Sequence, residues 1–98
     1  MIHTFSNAYI MYKIEPHHRQ KAQEIGVEIY PSKKGNYKLD VYRNGEYITS
    51  IGDMRYKDFV MYWKEKGKAY AEERRRLYHG RHKNEGIRGR LASAILWT

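Results

Sequence analysis

The sequence predicts an α+β domain: a small antiparallel β-meander of three or four strands packed against a long C-terminal helix and a short terminal helix. Three observations carry that reading. Two β-rich runs, residues 37–43 and 46–51, flank Asn44-Gly45, a strong signal for a tight hairpin. Residues 54–79 place apolar side chains at helical spacing. The 98 residues suffice for one modest core and no second one. Residues 1–98 are therefore read as a single domain, with 1–53 mainly sheet plus a short helix and 54–98 a basic helical half.

The elements follow in order. Residues 8–14 alternate, with Ile10, Tyr12 and Ile14 on one side and Tyr9, Met11 and Lys13 on the other, which is the period of a strand. Pro16 suits the first turn of a short helix running to Ile25, and Gly26 suits its stop. Residues 27–30 are β-rich, and Ser32-Lys33-Lys34-Gly35 is a turn with Gly35 available for positive φ. A two-residue loop at Asn44-Gly45 pairs Arg43 with Glu46, Tyr42 with Tyr47 and Val41 with Ile48, so that opposite charges and aromatic rings meet across the strands. Tyr37, Leu39, Val41 and Ile48 form the expected core side. Asp53 is the expected N-cap of the helix over 54–79, whose stripe is Tyr56, Phe59, Val60, Trp63, Gly67, Tyr70, Leu77 and Tyr78. Gly67 either permits close packing on the sheet or splits the helix near Lys66. Gly80 is the expected stop, residues 81–89 a polar loop, and 90–97 a last short helix.

Charge is unevenly placed. Residues 1–53 hold 7 Lys and Arg against 6 Asp and Glu, a net of +1; residues 54–98 hold 12 against 5, a net of +7, and together they make the +8 of the chain. The stretch 74–97 concentrates it, with Arg74, Arg75, Arg76, Arg81, Lys83, Arg88 and Arg90 around His79 and His82, before a segment ending on Trp97. Such asymmetry points to one functional face. Phosphate backbone is its usual target, because each neutralised phosphate releases counterions. The bland alternative is a solvated basic surface. The chain has no cysteine, which excludes disulfides and cysteine zinc sites and fits a reducing compartment. No apolar run approaches the roughly 20 residues of a membrane helix, and the N-terminus does not read as a signal peptide, so no membrane partner is expected. Ten Tyr, two Trp and two Phe supply rings suited to half-buried positions or partner surfaces.

The candidate nucleic-acid contacts are Lys57, Lys64, Lys68, Arg75, Arg76, Arg81 and Lys83, with Arg88 and Arg90 as weaker ones. Lys57, Lys64, Lys68 and Arg75 fall at spacings of seven, four and seven, a line along one helix able to track a backbone groove. Asp58, Glu65 and Glu72 run beside them, and Glu72 with Arg76 is an i,i+4 pair, so a salt-laced solvent face competes with the functional reading. Arg74 lies inside the apolar stripe, four residues after Tyr70. It must either pair with Glu85 or Asp53 or be aimed at phosphate from a half-buried seat. Tyr37, Tyr42 and Tyr47 have the chemistry to stack bases, although cross-strand packing explains them more simply. Arg74, Glu85, Tyr42, Tyr47 and Trp97 are thus the expected structural or partner contacts, and Ile95-Leu96-Trp97 reads as a core plug or a docking segment. His79, His82 and Glu85, with His17 and His18, match no recognised zinc spacing, and Gly80 interrupts the pair. The string His82-Lys83-Asn84-Glu85 is faintly like nuclease loops but lacks a second metal-holding cluster. No GxxxxGK(S/T), GxSxG, HExxH or GxGxxG is present. No catalytic residue, metal or cofactor is expected.

Residues 37–97 carry a resemblance: VYRNGEYITSIGD with Asp58-Phe59 soon after, then ERRRLYHGRHKNE, then GRLASAILW. This is similar to a family of short uncharacterised proteins encoded by large DNA viruses and phages, with a hairpin, a basic Tyr/Arg helix, an Arg-His step near Asn-Glu and a closing Ile-Leu-Trp. The loop between Glu85 and Leu91 is shorter here than in that pattern. The resemblance transfers no activity; it implies a virus-encoded origin. The expectation is a non-enzymatic basic protein whose C-terminal half binds nucleic acid through phosphates with low sequence specificity. The alternative is a minor virion structural or capsid-cement protein docking on neighbouring subunits, its charge answering an acidic capsid surface. Either reading allows a homo-oligomer or a larger assembly, in the virion or in the host cytoplasm or nucleoid.

Overall fold

The computed structural model describes residues 11–83 and 86–98. Three strands, β1 (Glu28–Pro31), β2 (Tyr37–Arg43) and β3 (Glu46–Asp53), form an antiparallel meander in the order β1-β2-β3. Helix α1 (Pro16–Glu24) precedes it; α2 (Phe59–Lys66), α3 (Lys68–Arg81) and α4 (Gly86–Leu96) follow. The class is α+β, as the sequence predicts. Of the strand expected over 8–14, the part up to residue 10 lies outside the described residues, and residues 11–14 are not in a strand.

Helix α1 forms where expected. Pro16 occupies its first turn, where a missing N–H costs nothing, and His18 Nδ1 accepts the Glu15 backbone N–H at 3.0 Å. Gly26, at φ 74°, turns the chain out of the helix into β1. In the next turn the Ser32 hydroxyl accepts the Lys34 N–H, and Gly35 does not use the left-handed conformation expected of it.

The hairpin turns on Asn44 (φ 53°) and Gly45 (φ 79°), the pair of positive φ values that a type I′ turn requires. Arg43 pairs with Glu46 and Tyr42 with Tyr47, but Val41 pairs with Thr49 and not with the expected Ile48. A β-bulge absorbs Ile48, and its effect is a change of phase. Strict alternation from the turn would set Ser50 inward and Ile51 outward. The bulge instead places Ile51 opposite Leu39, both fully buried, and sets Ser50 opposite Asp40, whose carboxylate takes the Ser50 hydroxyl at 2.6 Å.

The core gathers Ala22 of α1, Ile29, Leu39, Val41 and Ile51 of the sheet, and Leu91, Ala92, Ile95 and Leu96 of α4. Of the expected core side, Leu39 and Val41 are buried, while Tyr37 and Ile48 are only half-buried. The terminal helix thus supplies the apolar layer on the sheet, four of its side chains falling at i, i+1, i+4 and i+5. It begins at Gly86, earlier than the expected residue 90.

The helical run over 54–79 is divided. Its N-cap is Asp58, not Asp53: Asp58 Oδ1 accepts the Met61 N–H at 3.2 Å, while Asp53 pairs with Arg55. Gly67 adopts φ 93° and ψ 170°, a region that essentially only glycine occupies, and so ends α2 and begins α3. Gly80 does not stop α3, which continues to Arg81 with His82 as its C-cap. Helices α2 and α3 pack on each other through Tyr62 and Tyr70, ring centroids 5.6 Å apart. Trp97 ties this pair to the core by stacking on Tyr78 at 4.5 Å and 8°, and His79 Nε2 lies 3.2 Å from the Trp97 carbonyl.

Candidate nucleic-acid interface

The break at Gly67 decides where the expected contacts lie. The line Lys57, Lys64, Lys68 and Arg75 does not run along one helix: Lys57 precedes the α2 cap, Lys64 is on α2, and Lys68 and Arg75 are on α3. Most of this set is already engaged with the chain's own carboxylates. Lys57 pairs with Glu65 at 2.5 Å, Lys64 with Glu15 at 2.6 Å, Lys68 with Glu72 at 4.0 Å and Arg76 with Glu73 at 2.6 Å. Arg76 therefore takes Glu73 rather than the expected Glu72. These pairs are exposed, so each holds its cation only weakly. Arg75 lies over the Phe59 ring at 4.7 Å, and Lys83 and Arg90 are exposed; none of the three has a carboxylate within ion-pair distance among the described residues.

A second group converges instead. A cleft of about 530 Å³ opens between the C-terminal part of α3, the α4 helix and the β2–β3 end of the sheet, and Arg74, Arg81 and Arg88 all line it. Helical spacing brings Arg74, Tyr78 and Arg81 to one side of α3, at steps of four and three. Arg88 reaches the cleft from the first turn of α4, donating from Nε to Thr49 Oγ1 at 3.2 Å with its guanidinium 5.0 Å from the Tyr37 ring centre. Among the described residues no carboxylate lies within ion-pair distance of these three guanidinium groups.

Arg74 is the most unusual of them. It is half-buried with its guanidinium 5.3 Å from the Tyr62 ring centre, a cation–π seat. Its Nε is the one buried side-chain nitrogen or oxygen among the described residues without a hydrogen-bond partner. The expected ion pair with Asp53 does not form, because Arg55 binds that carboxylate through Nη2 at 2.8 Å and holds its pKa down to about 2. Glu85, the other expected partner, lies outside the described residues.

The other charges bordering the cleft are internally matched. Lys38, 3% exposed, donates from Nζ to Asp58 Oδ2 at 2.7 Å, and the Tyr12 hydroxyl donates to the same oxygen at 2.5 Å. Tyr12 is in turn 3.2 Å from His18 Nε2. Since His18 Nδ1 accepts an N–H, the neutral ring carries its proton on Nε2 and donates to Tyr12. Burial, the carboxylate of Asp58 and the hydrogen bond to it push the Tyr12 pKa far up, so the hydroxyl stays protonated. Burial lowers that of His18 against the opposing pull of Asp58. This Lys38–Asp58–Tyr12–His18 cluster joins β2, the start of α2 and α1, and it fixes one wall of the cleft.

Reading the sequence misses the ring-lined walls, built by Tyr37, Tyr56, Tyr62, Tyr78 and Trp97. The signal for them is Arg74 itself, a cation set within an aromatic stripe. The sequence pattern sets Asp58 in a solvent-facing acidic line, yet it is 1% exposed; its place before an apolar helical run marks it as a cap. Tyr42 and Tyr47, expected as partner contacts, meet edge-on at 5.7 Å, Tyr42 likewise meets Tyr30 at 5.4 Å, and Lys34 lies over Tyr47. Trp97 and the core side chains Ile95 and Leu96 act as a plug. His79 engages Trp97 and Ser93, and among the described residues no three metal-ligating side chains gather. No helix of the described residues is long and apolar enough to cross a membrane. Comparison with protein-family models, curated proteins and solved structures returns no match.

Proposed function

We propose that this is a non-enzymatic protein that binds nucleic acid through the phosphate backbone, with low sequence specificity, using its C-terminal half. The convergence of Arg74, Arg81 and Arg88 on one cleft, without a carboxylate partner among the described residues, carries the reading. A planar guanidinium matches phosphate oxygens two at a time and is more weakly hydrated than ammonium, so arginines collected at one site favour phosphate over a diffuse counterion cloud. The half-buried Arg75 and the exposed Lys83 and Arg90 extend the positive field beyond the cleft. The lysines on α2 and at the start of α3 supply weaker contacts, since phosphate must compete with their own glutamates.

Low specificity follows from what recognises the ligand. Guanidinium–phosphate contacts position a strand without reading bases, and stacking on tyrosine tolerates any base. With the resemblance to virus-encoded proteins, this reading sets the protein to work on nucleic acid in the virion or the host cell. The test is fluorescence anisotropy of labelled single-stranded oligonucleotides of several compositions, titrated at increasing salt. The expected result is similar affinity for all compositions and a steep linear fall of log affinity with log salt. Absence of binding at low salt overturns the proposal.

A further inference from the structure

We infer that the cleft receives a single unpaired nucleotide, its phosphate held by Arg74, Arg81 and Arg88 and its base laid against a tyrosine ring at the mouth. The inference rests on the nucleic-acid reading above and narrows it to one site and one ligand shape.

Size comes first. A volume of about 530 Å³ falls within the range of small-ligand clefts. A duplex, with its bases stacked inside and its phosphates outside, touches only the rim of such an opening. A nucleotide at a strand end, or one turned out of its stack, can enter. The chemistry of the walls then separates into two parts. Three guanidinium groups answer a phosphate, and the buried Nε of Arg74 lacks the acceptor that an oxyanion would bring; leaving such a donor unmet is costly.

The second part is the rings. Tyr56 lines the same cleft and is 64% exposed, the most exposed large apolar side chain among the described residues. Its neighbour Arg55, bound to Asp53, sits over the ring with its guanidinium 5.4 Å from the ring centre. An exposed aromatic ring beside a phosphate site is how single-strand binders take bases. A phosphotyrosine side chain also joins a ring to a phosphate. The net +7 of residues 54–98, with Arg75, Lys83 and Arg90 lacking a carboxylate partner among the described residues, favours the polyanion.

Trp97 makes the inference measurable, because it lines the cleft and only one other tryptophan, Trp63, is present. In the Trp63→Phe protein, Trp97 emission is followed during titration with a purine nucleoside 5′-monophosphate, inorganic phosphate and phosphotyrosine, alongside oligonucleotide anisotropy. The expected result is a saturable response to the nucleotide at a concentration about tenfold or more below that for inorganic phosphate, the difference one stacked base supplies. Arg74→Gln should raise the half-saturation concentration. Arg81→Gln, at an exposed position, should do the same and keeps the test valid if the first variant does not fold. Oligonucleotide binding without any Trp97 response to the nucleotide overturns this inference alone. So does a response to inorganic phosphate at equal concentration, or tighter binding of phosphotyrosine. If the oligonucleotide does not bind either, both this inference and the proposed function fall.

Discussion

His18 sets a limit on the conditions in which the fold holds. Its ring is buried, its Nδ1 caps the start of α1, and its Nε2 proton goes to Tyr12. Protonation would place a second donor against the Glu15 N–H and add a charge beside Lys38. Burial therefore lowers its pKa, with His17 and Lys38 acting in the same direction and Asp58 and Glu15 opposing. In the unfolded chain the ring titrates near its ordinary value of about 6.5. Between the two values the unfolded state binds more protons, so stability falls as pH drops through about 6.5 and stops falling below the folded value. The expected outcome is a urea midpoint that declines from about pH 8 to about pH 5, with His18→Gln flattening the decline. An identical decline in both proteins would assign the effect to other groups. The ion pair that His18 supports indirectly, Lys38 with Asp58, is almost fully buried, and removing one partner from such a pair typically costs about 3–5 kcal/mol. A change at this cluster should thus reach the cleft through the α2 start and the Lys38 wall.

At the scale of elements, Gly67 separates two pictures of the helical half by sign. In a continuous helix, Gly67→Ala would stabilise by about 1 kcal/mol through propensity. At φ 93° and ψ 170° an alanine is strained, and the expected effect is destabilisation of about 1–3 kcal/mol, read as a lowered midpoint in urea at unchanged slope. A raised midpoint would mean that α2 and α3 join. The added Cβ itself meets no atom within 4 Å, so backbone conformation alone produces the effect. The hairpin was legible because Asn44-Gly45 is a local signal, and α1 because Pro16 and Gly26 punctuate it. Composition and turn chemistry also sufficed for the α+β class. The bulge at Ile48 was not legible: local pairing of Tyr42 with Tyr47 satisfies the turn, and only the burial of Ile51 against α4 reveals the change of phase. Gly67 was readable as either a close approach or a break, since a 3.6-residue period survives across a kink. The cleft was hidden for a similar reason. Arg88, Arg74 and Tyr37 are far apart in the chain, and no periodicity within one element brings them together.

The whole molecule measures 43 × 32 × 22 Å, and its surplus charge is divided by how it is held. The apolar cluster unites α1, the sheet and α4, while α2 and α3 form an arm attached through the Trp97–Tyr78 stack and the Lys38–Asp58 cluster. On that arm Lys64, Lys68 and Arg76 face glutamates, whereas Arg81 at its end and Arg88 across the cleft face none among the described residues. Net charge alone predicts that any two cations contribute alike to polyanion binding. Pairing predicts otherwise, because a lysine that leaves its glutamate for a phosphate exchanges one ion pair for another and uncovers a carboxylate near the strand. Arg81→Gln with Arg88→Gln should therefore reduce the salt slope of single-strand binding by up to about 0.7, the share of the one phosphate these arginines hold with Arg74. Lys64→Gln with Lys68→Gln removes the same formal charge and should change the slope by much less. Anisotropy titrations across a salt series measure both. Equal reductions from the two double variants would show the field to be diffuse, and the cleft to hold no privileged place in it.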